Sequence, residues 1–488
     1  MATFTERFKR FILKVFKVNE WAQEYTINRE FTFQGNAIKN ALWYDGDAYE
    51  LAQFYEQTGN HTNSFWGSKE TRGQEIRRIH TGLPALIVDQ LINITAKDIN
   101  AINFESDANK EVWEEIEKDS DFKNKIADLV RTALVIGDGA VKFTYDLDIS
   151  KTPKMEIIGG DRVDFINQRG NLKEVKFYTY YTVRGAEYTL EETYGYGYIR
   201  YKLFKGDNEC DINNIPQTAG LEDVEFDSSI MLAVPFKFFN STKYKERGKS
   251  IYEGKTDAFD AVDECVSQWV DALRAGRVKT YIPDSLIPRD VNGGFLLSPN
   301  SFDNRFIKVG SDMTEGAKNQ ITTEQPDIKT EAYLQTYITV LDIALQGVIS
   351  PSTLGIDNKK LDNAEAQREK EKCTLYTRAA IIDCLEVIVK NIVQTTFDTL
   401  SVMCNTTKIE VEADVQFGEY ASPSFEAVLE VMSNPNTPMS IEAKVEEIWG
   451  DSKTEEWKAE EVKRIKNERG IVELDEPALS NLFNTGDE

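Results

Sequence analysis

The spacing of hydrophobic residues divides the chain into a mixed first half and a mainly helical second half. Helical patterns at 42–55 (LWYDGDAYELAQFY) and 79–94 (IHTGLPALIVDQLINI) come before segments rich in β-branched and aromatic residues, such as EVKFYTYYTV and YGYGYIRYKLF. Recurrence every three or four residues is typical of helices, and alternation is typical of strands. The first half is therefore predicted to be an α+β lobe.

A narrow apolar stripe predicts a helix at 253–276. Its members recur at steps of three and four residues, as in a coiled coil, and Gly276 ends the pattern. We predict that the stripe packs against a partner helix or a neighbouring subunit. It consists of Phe259, Val262, Val266, Trp269 and Leu273.

Three carboxylates, Asp260, Glu264 and Asp271, lie together with Ser267 on a neighbouring face of the same predicted helix. The polar face of an amphipathic helix normally remains in solvent. We therefore predict that this face turns toward solvent or toward a channel.

A small β module and two further helices are predicted after this helix. Short strand patterns and turn signals fill 277–328, and helical spacing returns at 329–349. The module would then sit at the far end of a helical hairpin. The longest helical pattern, at about 363–403, would extend for about 60 Å at 1.5 Å per residue. A strand (KIEVEADVQFG), short charged helices and a polar tail follow it.

The first 20 residues form an amphipathic pattern with basic flanks. Such a helix lies on a membrane surface, acts as a transit peptide or packs on its own protein. We favour a packed helix because Glu6 interrupts the pattern and no small-residue cleavage site follows. Its apolar face carries Phe4, Phe8, Phe11 and Val15.

The charge balance limits the partners of the chain. Lysine and arginine total 57 against 82 acidic residues, which gives a formal charge of -25. This charge disfavours general attraction to nucleic acid or to an anionic membrane, so a contact with DNA should be local. The sequence contains no apolar stretch of the roughly 20 residues that a membrane span needs.

Motifs for catalysis or metal binding are weak. The five cysteines are widely spaced without a CxxC motif, which indicates reduced intracellular thiols and no zinc site, and Cys265 has no evident histidine partner. His80, beside two arginines, is predicted to be a structural or surface residue. RGKS (247–250) and EGKT (253–256) lack the first glycine of a phosphate-binding loop. We predict no enzyme activity, no cofactor and no metal.

Four segments, in their order along the chain, carry a resemblance to a known family. They are WYDGDAYELAQFY, HTGLPALIVDQLINI, VIGDGAVKFTYD and ALQGVISPSTLGIDNKKLDNAEAQREKEK. Over roughly residues 40–420 the chain resembles the portal proteins of tailed bacteriophages, in particular those of siphoviruses with Gram-positive hosts.

The resemblance implies an α+β portal fold. Its parts would be a wing, a helical stem, a small α/β clip, a very long wing helix and a helical crown. The implied domains are the N-terminal wing at 1–252, stem helices at 253–276 and 329–349, the clip at 277–328, a tunnel loop at 350–362, the long helix and remaining wing at 363–422, the crown at 423–475 and a flexible tail at 476–488.

The resemblance also implies a homo-oligomeric ring, usually of twelve copies, at one capsid vertex. Double-stranded DNA would pass through it during packaging and ejection. The implied partners are the terminase large subunit, the head–tail adaptor, and the major capsid and scaffolding proteins. The protein would be part of the virion after assembly in the host bacterial cytoplasm, without a membrane partner.

The tunnel loop is expected to contact DNA. Lys359 and Lys360 would recur once per subunit and touch phosphates without reading bases. The alternative is that these lysines cap helix ends or pair with Asp357 and Asp362. The loop residues predicted to contact DNA are Thr353, Asp357, Asn358, Lys359 and Lys360.

Two other classes of protein remain open at this point. With 82 acidic residues, carboxylate pairs suited to a metal-dependent hydrolase or nuclease occur by chance. The other alternative is a virion structural protein that forms rings without conducting DNA.

Overall fold

The chain divides into two compact units, Met1–Phe417 and Gly418–Glu488. The computed structural model describes residues 31–58, 64–69, 76–145, 150–287, 289, 291–293, 306–310, 320–356, 364–418, 440–449 and 455–468. The predicted N-terminal amphipathic helix lies outside these residues.

The first unit combines helices with sheets that are mostly antiparallel, which confirms the α+β class. Its helices are α1 (Phe33–Asp45), α2 (Ala48–Thr58), α3 (Leu83–Asn93), α4 (Asp107–Ser120), α5 (Phe122–Val135), α6 (Thr256–Ala275), α7 (Thr330–Leu345) and α8 (Ala364–Met403).

The described strands of the first unit form four separate sheets. In chain order they are β1 (Ile99–Phe104), β2 (Asp138–Thr144), β3 (Lys154–Gly159), β4 (Val163–Gln168), β5 (Asn171–Val183), β6 (Ala186–Gly195), β7 (Tyr198–Lys205), β8 (Asn208–Cys210), β9 (Val224–Glu225), β10 (Ala233–Lys237), β11 (Lys279–Pro283), β12 (Phe306–Val309), β13 (Thr322–Glu324) and β14 (Ala413–Phe417). The sheet orders are β1–β14, β10–β2–β3, β12–β11–β13 and β4–β5–β6–β7–β8, with β9 paired to β7.

The main core lies where α1, α3, α5 and α8 meet the β10–β2–β3 sheet. Strand β2 is the centre of that sheet, and its residues are buried on both faces rather than in alternation. Trp43, Leu129 and Phe143 are each fully buried in this core. Burial of a side chain of this size contributes about 1.5–3 kcal/mol, so the lobe is held mainly by apolar packing.

One predicted helix is divided in two by Gly46. The 42–55 pattern predicts a continuous helix, but α1 ends at Asp45 and α2 begins at Ala48. Gly46 has a φ of 73° and its amide donates to the Leu42 carbonyl at 3.0 Å, which is a left-handed helix end. The Asp47 carboxylate then accepts from the Tyr49 amide at 2.8 Å and starts α2.

The long aromatic strands form the predicted sheet. The pair β5 and β6 runs through ten residue pairs and turns at Arg184 and Gly185, with φ values of 51° and 76°. Two successive positive φ angles favour a tight hairpin whose twist matches that of its strands. The sheet is therefore an antiparallel meander.

The second unit contains α9 (Ile441–Trp449) and α10 (Glu455–Glu468), which pack against each other. Lys466 Nζ lies 2.8 Å from Glu442 Oε1 and links the two helices. The predicted crown and flexible tail lie mostly outside the described residues and stay predictions.

Two glycines permit a close approach of backbones in the first unit. A Cβ at Gly248 would lie 2.0 Å from the Gly137 carbonyl oxygen, and a Cβ at Gly137 would lie 2.7 Å from the Gly248 carbonyl oxygen. The neighbouring Asp138 carboxylate accepts from the Gly248 amide at 2.6 Å and from Arg247 Nη2 at 2.9 Å. This junction joins the start of β2 to the segment before α6.

We expect Gly248→Ala to reduce the free energy of unfolding by about 3 kcal/mol, because the new methyl group meets backbone that cannot move aside. Gly35→Ala is the matched control, because its Cβ would meet atoms no closer than 3.5 Å within α1. There alanine should be neutral or stabilise by up to about 1 kcal/mol. Denaturant unfolding of both variants measures the difference, and equal effects would contradict the close-approach argument.

Candidate functional site

Helices α6 and α7 form the predicted hairpin. Each begins and ends within about four residues of its predicted bounds, and the β12–β11–β13 sheet lies between them in sequence. Lys255, before α6, contacts the end of α7, and a Cβ on Gly276, after α6, would lie 2.2 Å from Ile328 Cδ1. The two helices are therefore antiparallel.

The apolar stripe of α6 passes from the core to the surface. Phe259 and Val262 are buried in the core of their own chain, so they are not available to a neighbouring subunit. Val266 is half-buried, and Trp269 stacks on Tyr333 of α7 with ring centroids 6.2 Å apart. Leu273, at the end of the stripe, is 47% exposed. Subunit packing by the outer residues stays a prediction.

Asp260 does not face solvent, which makes the predicted channel-facing position wrong for this residue. It is 9% exposed, and its carboxylate accepts from the amides of Phe65 at 2.6 Å and Trp66 at 3.1 Å. Burial raises the pKa of Asp260, while these two hydrogen bonds act in the opposite direction. The carboxylate is thus used inside the chain.

Glu264 and Asp271 are both half-buried, and Glu264 Oε1 accepts from Gln268 Nε2 at 2.8 Å. Their role as channel-facing residues stays a prediction. In the single chain neither carboxylate is enclosed in the way that Asp260 is.

The polar contacts of α6 centre on Asp263, which was not among the site residues predicted from the sequence. Its side chain is fully buried and accepts from Trp66 Nε1 at 3.1 Å, from the Thr81 amide at 2.9 Å and from Thr81 Oγ1 at 2.8 Å. His80 Nδ1 lies 2.7 Å from the same carboxylate. Two carboxylate oxygens offer about four acceptor sites, so Asp263 is saturated.

All of these donors belong to residues 64–69 and 76–82, which we call the anchoring segment. Ser267 Oγ, one turn beyond Asp263, accepts from the Ile79 amide at 2.9 Å. Asp260, Asp263 and Ser267 follow one another at three and four residues and so share a helix face. The spacing of these residues was the signal available in the sequence. Only the structure shows that this helix face contacts the anchoring segment rather than solvent.

His80 is a buried structural residue, which is one of the two roles, structural or surface, predicted from the sequence. Its side chain is 3% exposed, and its Nε2 has no hydrogen-bond partner among the described residues. The ring lies beside Trp43 and Trp66, at centroid distances of 5.5 Å and 6.3 Å. Arg78 donates to the carbonyls of Trp66 and Ser68, both at 2.5 Å. These hydrogen bonds connect the two parts of the anchoring segment.

Lys255 holds the base of the hairpin. Its Nζ donates to the carbonyls of Ile343 at 3.0 Å and Gln346 at 2.7 Å. These groups belong to the C-terminal end of α7, where carbonyls lack helical partners and a cation is favoured. Desolvation lowers the pKa of Lys255. The lysine of the EGKT motif therefore binds backbone rather than a ligand.

The RGKS motif is also used within the chain. The Gly248 amide and the Arg247 guanidinium bind the Asp138 carboxylate, and Ser250 Oγ donates to the Leu134 carbonyl at 3.1 Å. An internal carboxylate thus takes the donors that a phosphate would need. Burial raises the pKa of Asp138, against the effect of Arg247.

The first half of the predicted tunnel loop is packed rather than projecting. Pro351–Leu354 forms a short 3₁₀ helix, Leu354 is buried, and the Ser350 amide donates to Thr374 Oγ1 at 2.9 Å. Thr353 Oγ1 lies 3.0 Å from the same hydroxyl of α8. Thr353 therefore packs against α8, and its predicted contact with DNA stays a prediction. Asp357, Asn358, Lys359 and Lys360 lie outside the described residues.

Helix α8 contains 40 residues, as the pattern at 363–403 predicted. It contacts β10, β2 and β14 and so crosses the core of the first unit. Arg378 donates from its guanidinium to the Ile94 carbonyl at 2.8 Å and pairs with Asp98, which ties α8 to the end of α3.

Neither a membrane-spanning helix nor a metal cluster is found in the described part of the chain. None of its helices is long and apolar enough to cross a bilayer. Within the same residues, no group of three or more His, Cys, Asp or Glu side chains is arranged to hold a metal ion.

No protein-family profile and no curated protein matches the sequence. Among solved structures, the chain is similar to one described as the neck of an empty GTA particle computed with C6 symmetry, with 13% identity, a TM-score of 0.40 and coverage of 75% of this chain and 90% of the other. The chain is also similar to a structure described as the neck of a native GTA particle computed with C12 symmetry, with 14% identity, a TM-score of 0.39 and coverage of 85% of this chain and 98% of the other. A third similar structure is described as the virion of a native gene transfer agent (GTA) particle, with 13% identity, a TM-score of 0.36 and coverage of 84% of this chain and 93% of the other. Likeness at this level carries no argument about this chain.

We expect Asp263→Asn to reduce the free energy of unfolding by about 3 kcal/mol, because the amide loses charge-assisted hydrogen bonds and turns an NH₂ group toward donors. Asp271→Asn, on the same helix but half-buried, should change it by no more than about 0.5 kcal/mol. Urea denaturation followed by tryptophan fluorescence compares the two variants. Similar losses at both positions would show that Asp263 is not a special anchor.

Proposed function

We propose that this chain is a portal subunit of a tailed-phage type of virion. Identical copies would form a ring at a capsid vertex, and double-stranded DNA would pass through the ring during packaging and ejection. The observation that carries the proposal is the order of structural elements: a mixed lobe, an antiparallel hairpin with a small sheet at its far end, an anchored turn and a helix of 40 residues. The resemblance of the sequence to portal proteins implies this order.

Uncovered apolar side chains on the hairpin support assembly with further copies. Leu273 of α6 and Leu334 and Ile343 of α7 are 47%, 43% and 52% exposed. A helix that is apolar on most of its faces is normally buried on those faces. Neighbouring hairpins in a ring would cover the side chains that one chain leaves in water.

The electrostatics suit passage of DNA rather than tight binding. With a formal charge of -25, the protein as a whole repels phosphate. Contacts would be confined to a few cations, of which Lys359 and Lys360 are the proposed pair. Each phosphate contact weakens as salt rises, because DNA then gains less from releasing counterions.

The remaining roles follow the proposal. The small sheet and its neighbouring loops would face the terminase large subunit and later the head–tail adaptor, and the lobe would face capsid and scaffolding proteins. The protein would act without a cofactor or enzymatic activity of its own, in the virion, after assembly in the bacterial cytoplasm. A metal-dependent hydrolase or nuclease, the alternative, would instead show activity with Mg²⁺ as a monomer.

Electron microscopy of the purified full-length protein in negative stain tests the proposal directly. We expect rings with a central hole wide enough for a DNA duplex. A single compact chain, or a ring closed at its centre, would contradict the proposal. Nuclease and hydrolase assays with Mg²⁺ on the same sample test the alternative.

We expect Leu273→Asp to prevent ring formation without unfolding the chain, because Leu273 is 47% exposed in the single chain and would be covered only by a neighbouring hairpin. Trp269→Asp should impair both assembly and folding, since Trp269 also packs on Tyr333. Native mass spectrometry and circular dichroism separate the two effects. The control is Tyr180→Asp, a change at a 64% exposed aromatic residue of β5. Rings formed by the Leu273 variant at wild-type yield would count against the hairpin as the ring interface.

Replacing both Lys359 and Lys360 with alanine should leave rings intact and reduce DNA retention in packaged particles. The loss should be greatest at low salt, where phosphate contacts contribute most. The matched control replaces Lys202 and Lys205, both in β7, with alanine, which changes the charge equally outside the hairpin. Unchanged packaging yield and retention would remove the loop lysines from the proposed DNA contact.

A further inference from the structure

Residues 237–255, which run from the end of β10 to the start of α6, carry a positive charge on an acidic chain. They contain six basic and two acidic residues, a balance of +4, whereas the chain as a whole has a formal charge of -25. Asp138 and Asp164 both approach Arg247, at 2.9 Å and 3.5 Å, and reduce the local balance to +2. The sign of the charge is therefore reversed in this region.

Four lysines of this segment lie toward solvent, and we call them the basic surface: Lys237, Lys243, Lys245 and Lys249. Lys237, Lys245 and Lys249 are exposed, whereas Lys243 is half-buried over the ring of Tyr244. The Lys245 side chain is 92% exposed and lies 3.7 Å from Glu246, and an ion pair of this kind contributes little in water. The basic surface thus presents charge to an acidic partner.

An acidic surface lies around α4. Residues 105–125 contain eight acidic and four basic residues, a balance of -4, and the ion pair of Lys154 with Asp119 changes it to -3. Trp113 and Ile116 lie on the buried face of α4. Glu111 and Glu115, one turn apart, lie on the opposite, exposed face of the helix.

The two surfaces lie at opposite ends of α5. The Ile251 amide and Ser250 Oγ, at the end of the positive segment, donate to the Leu134 carbonyl in the last turn of α5 at 2.9 Å and 3.1 Å. Trp113 of α4 packs on Phe122, the first residue of α5, with ring centroids 5.0 Å apart. The 14 residues of α5 span about 20 Å. Exposed charges are largely screened beyond about 8–10 Å in physiological salt, so the two surfaces do not neutralise each other within one chain.

A ring of identical chains provides a way for the two surfaces to meet. Each contact in a ring is heterologous, which means that it joins two different surfaces of neighbouring copies. Copies with a formal charge of -25 repel one another. A contact between them is therefore favoured where surfaces of opposite charge face each other. Every copy offers both such surfaces on its first unit.

We propose that the basic surface of one copy docks on α4 of the next copy in the ring. This inference rests on the proposed function, because it requires ring assembly, and it adds a contact outside the hairpin. Opposite charges at this contact would offset part of the repulsion between acidic chains. The contact would also cover lysines that would otherwise bind DNA phosphates away from the loop.

Two charge-reversal variants test the contact. Lys245→Glu with Lys249→Glu reverses the charge of the basic surface, and Glu111→Lys with Glu115→Lys reverses that of the exposed face of α4. We expect each variant alone to need about tenfold more protein than the wild type for half-assembly, which corresponds to about 1.4 kcal/mol. Native mass spectrometry measures the ring yield against concentration, and circular dichroism checks that each chain is folded.

An equal mixture of the two variants should form rings at the wild-type yield. In such a ring the variants alternate, because every contact then joins surfaces of opposite charge. Native mass spectrometry should accordingly find equal numbers of the two variants in each ring. Recovery by mixing also shows that neither variant fails to assemble through misfolding.

Matched controls separate the local contact from the net charge. Lys202→Glu with Lys205→Glu in β7, and Glu187→Lys with Glu225→Lys in β6 and β9, change the net charge equally at exposed residues. Both controls should assemble like the wild type. If the net charge alone governed assembly, the α4 variant, which is less acidic than the wild type, would instead form rings more readily.

The outcomes distinguish this inference from the proposed function. A wild-type chain that forms no rings contradicts both. Wild-type rings together with normal assembly of either variant, or with a mixture that forms no rings, overturn the docking contact alone. If the basic-surface variant forms normal rings but its packaged particles lose DNA retention, DNA is the occupant of the basic surface and the docking contact is excluded.

Discussion

The buried carboxylate of Asp263 determines how the hairpin leaves the lobe. A charge removed from water is tolerated only when hydrogen-bond donors replace its hydration. The anchoring segment supplies these donors from Trp66, His80 and Thr81, so α6 can move relative to that segment only by exposing or abandoning a charge. Lys255, just before α6, binds the carbonyls at the end of α7. The hairpin is thus rigidly held at its base, whereas its outer part has little support from its own chain.

That arrangement explains the gradient of burial along α6. Phe259 is enclosed by the core, Trp269 is covered on one side by α7, and Leu273 is largely in water. The transfer of such side chains out of water contributes about 1.5–3 kcal/mol each. One chain gains this energy only near the anchored base, whereas neighbouring hairpins would supply the remainder. Rigid anchoring and incomplete covering are therefore complementary, because a fixed hairpin presents its uncovered residues in a constant direction.

The sequence predicted the elements whose signals are local. The periodicity of α6, α7 and α8 lies within each helix, and their bounds were close. It did not predict the burial of Asp260, because the amide of Phe65 that binds this carboxylate is 195 residues away. The same limit applies to Gly248, whose amide binds Asp138 at a separation of 110 residues. A polar helix face has the same pattern whether it meets water or a distant backbone, so periodicity alone cannot separate the two.

The burial of Asp260 and Asp263 changes the electrostatic argument for a channel. Carboxylates saturated by internal donors and shielded from water contribute less to the field that a passing duplex would meet. Of the three carboxylates predicted to face a channel, only Glu264 and Asp271 would therefore repel it. With fewer repulsive charges on the channel wall, the electrostatic potential that DNA would meet at the wall differs less from the potential at the loop. The location of cations then matters more than their number: phosphate contacts at one level can guide DNA, whereas contacts spread along the hairpin would retain it. The proposed confinement of DNA-binding lysines to the loop follows from this balance.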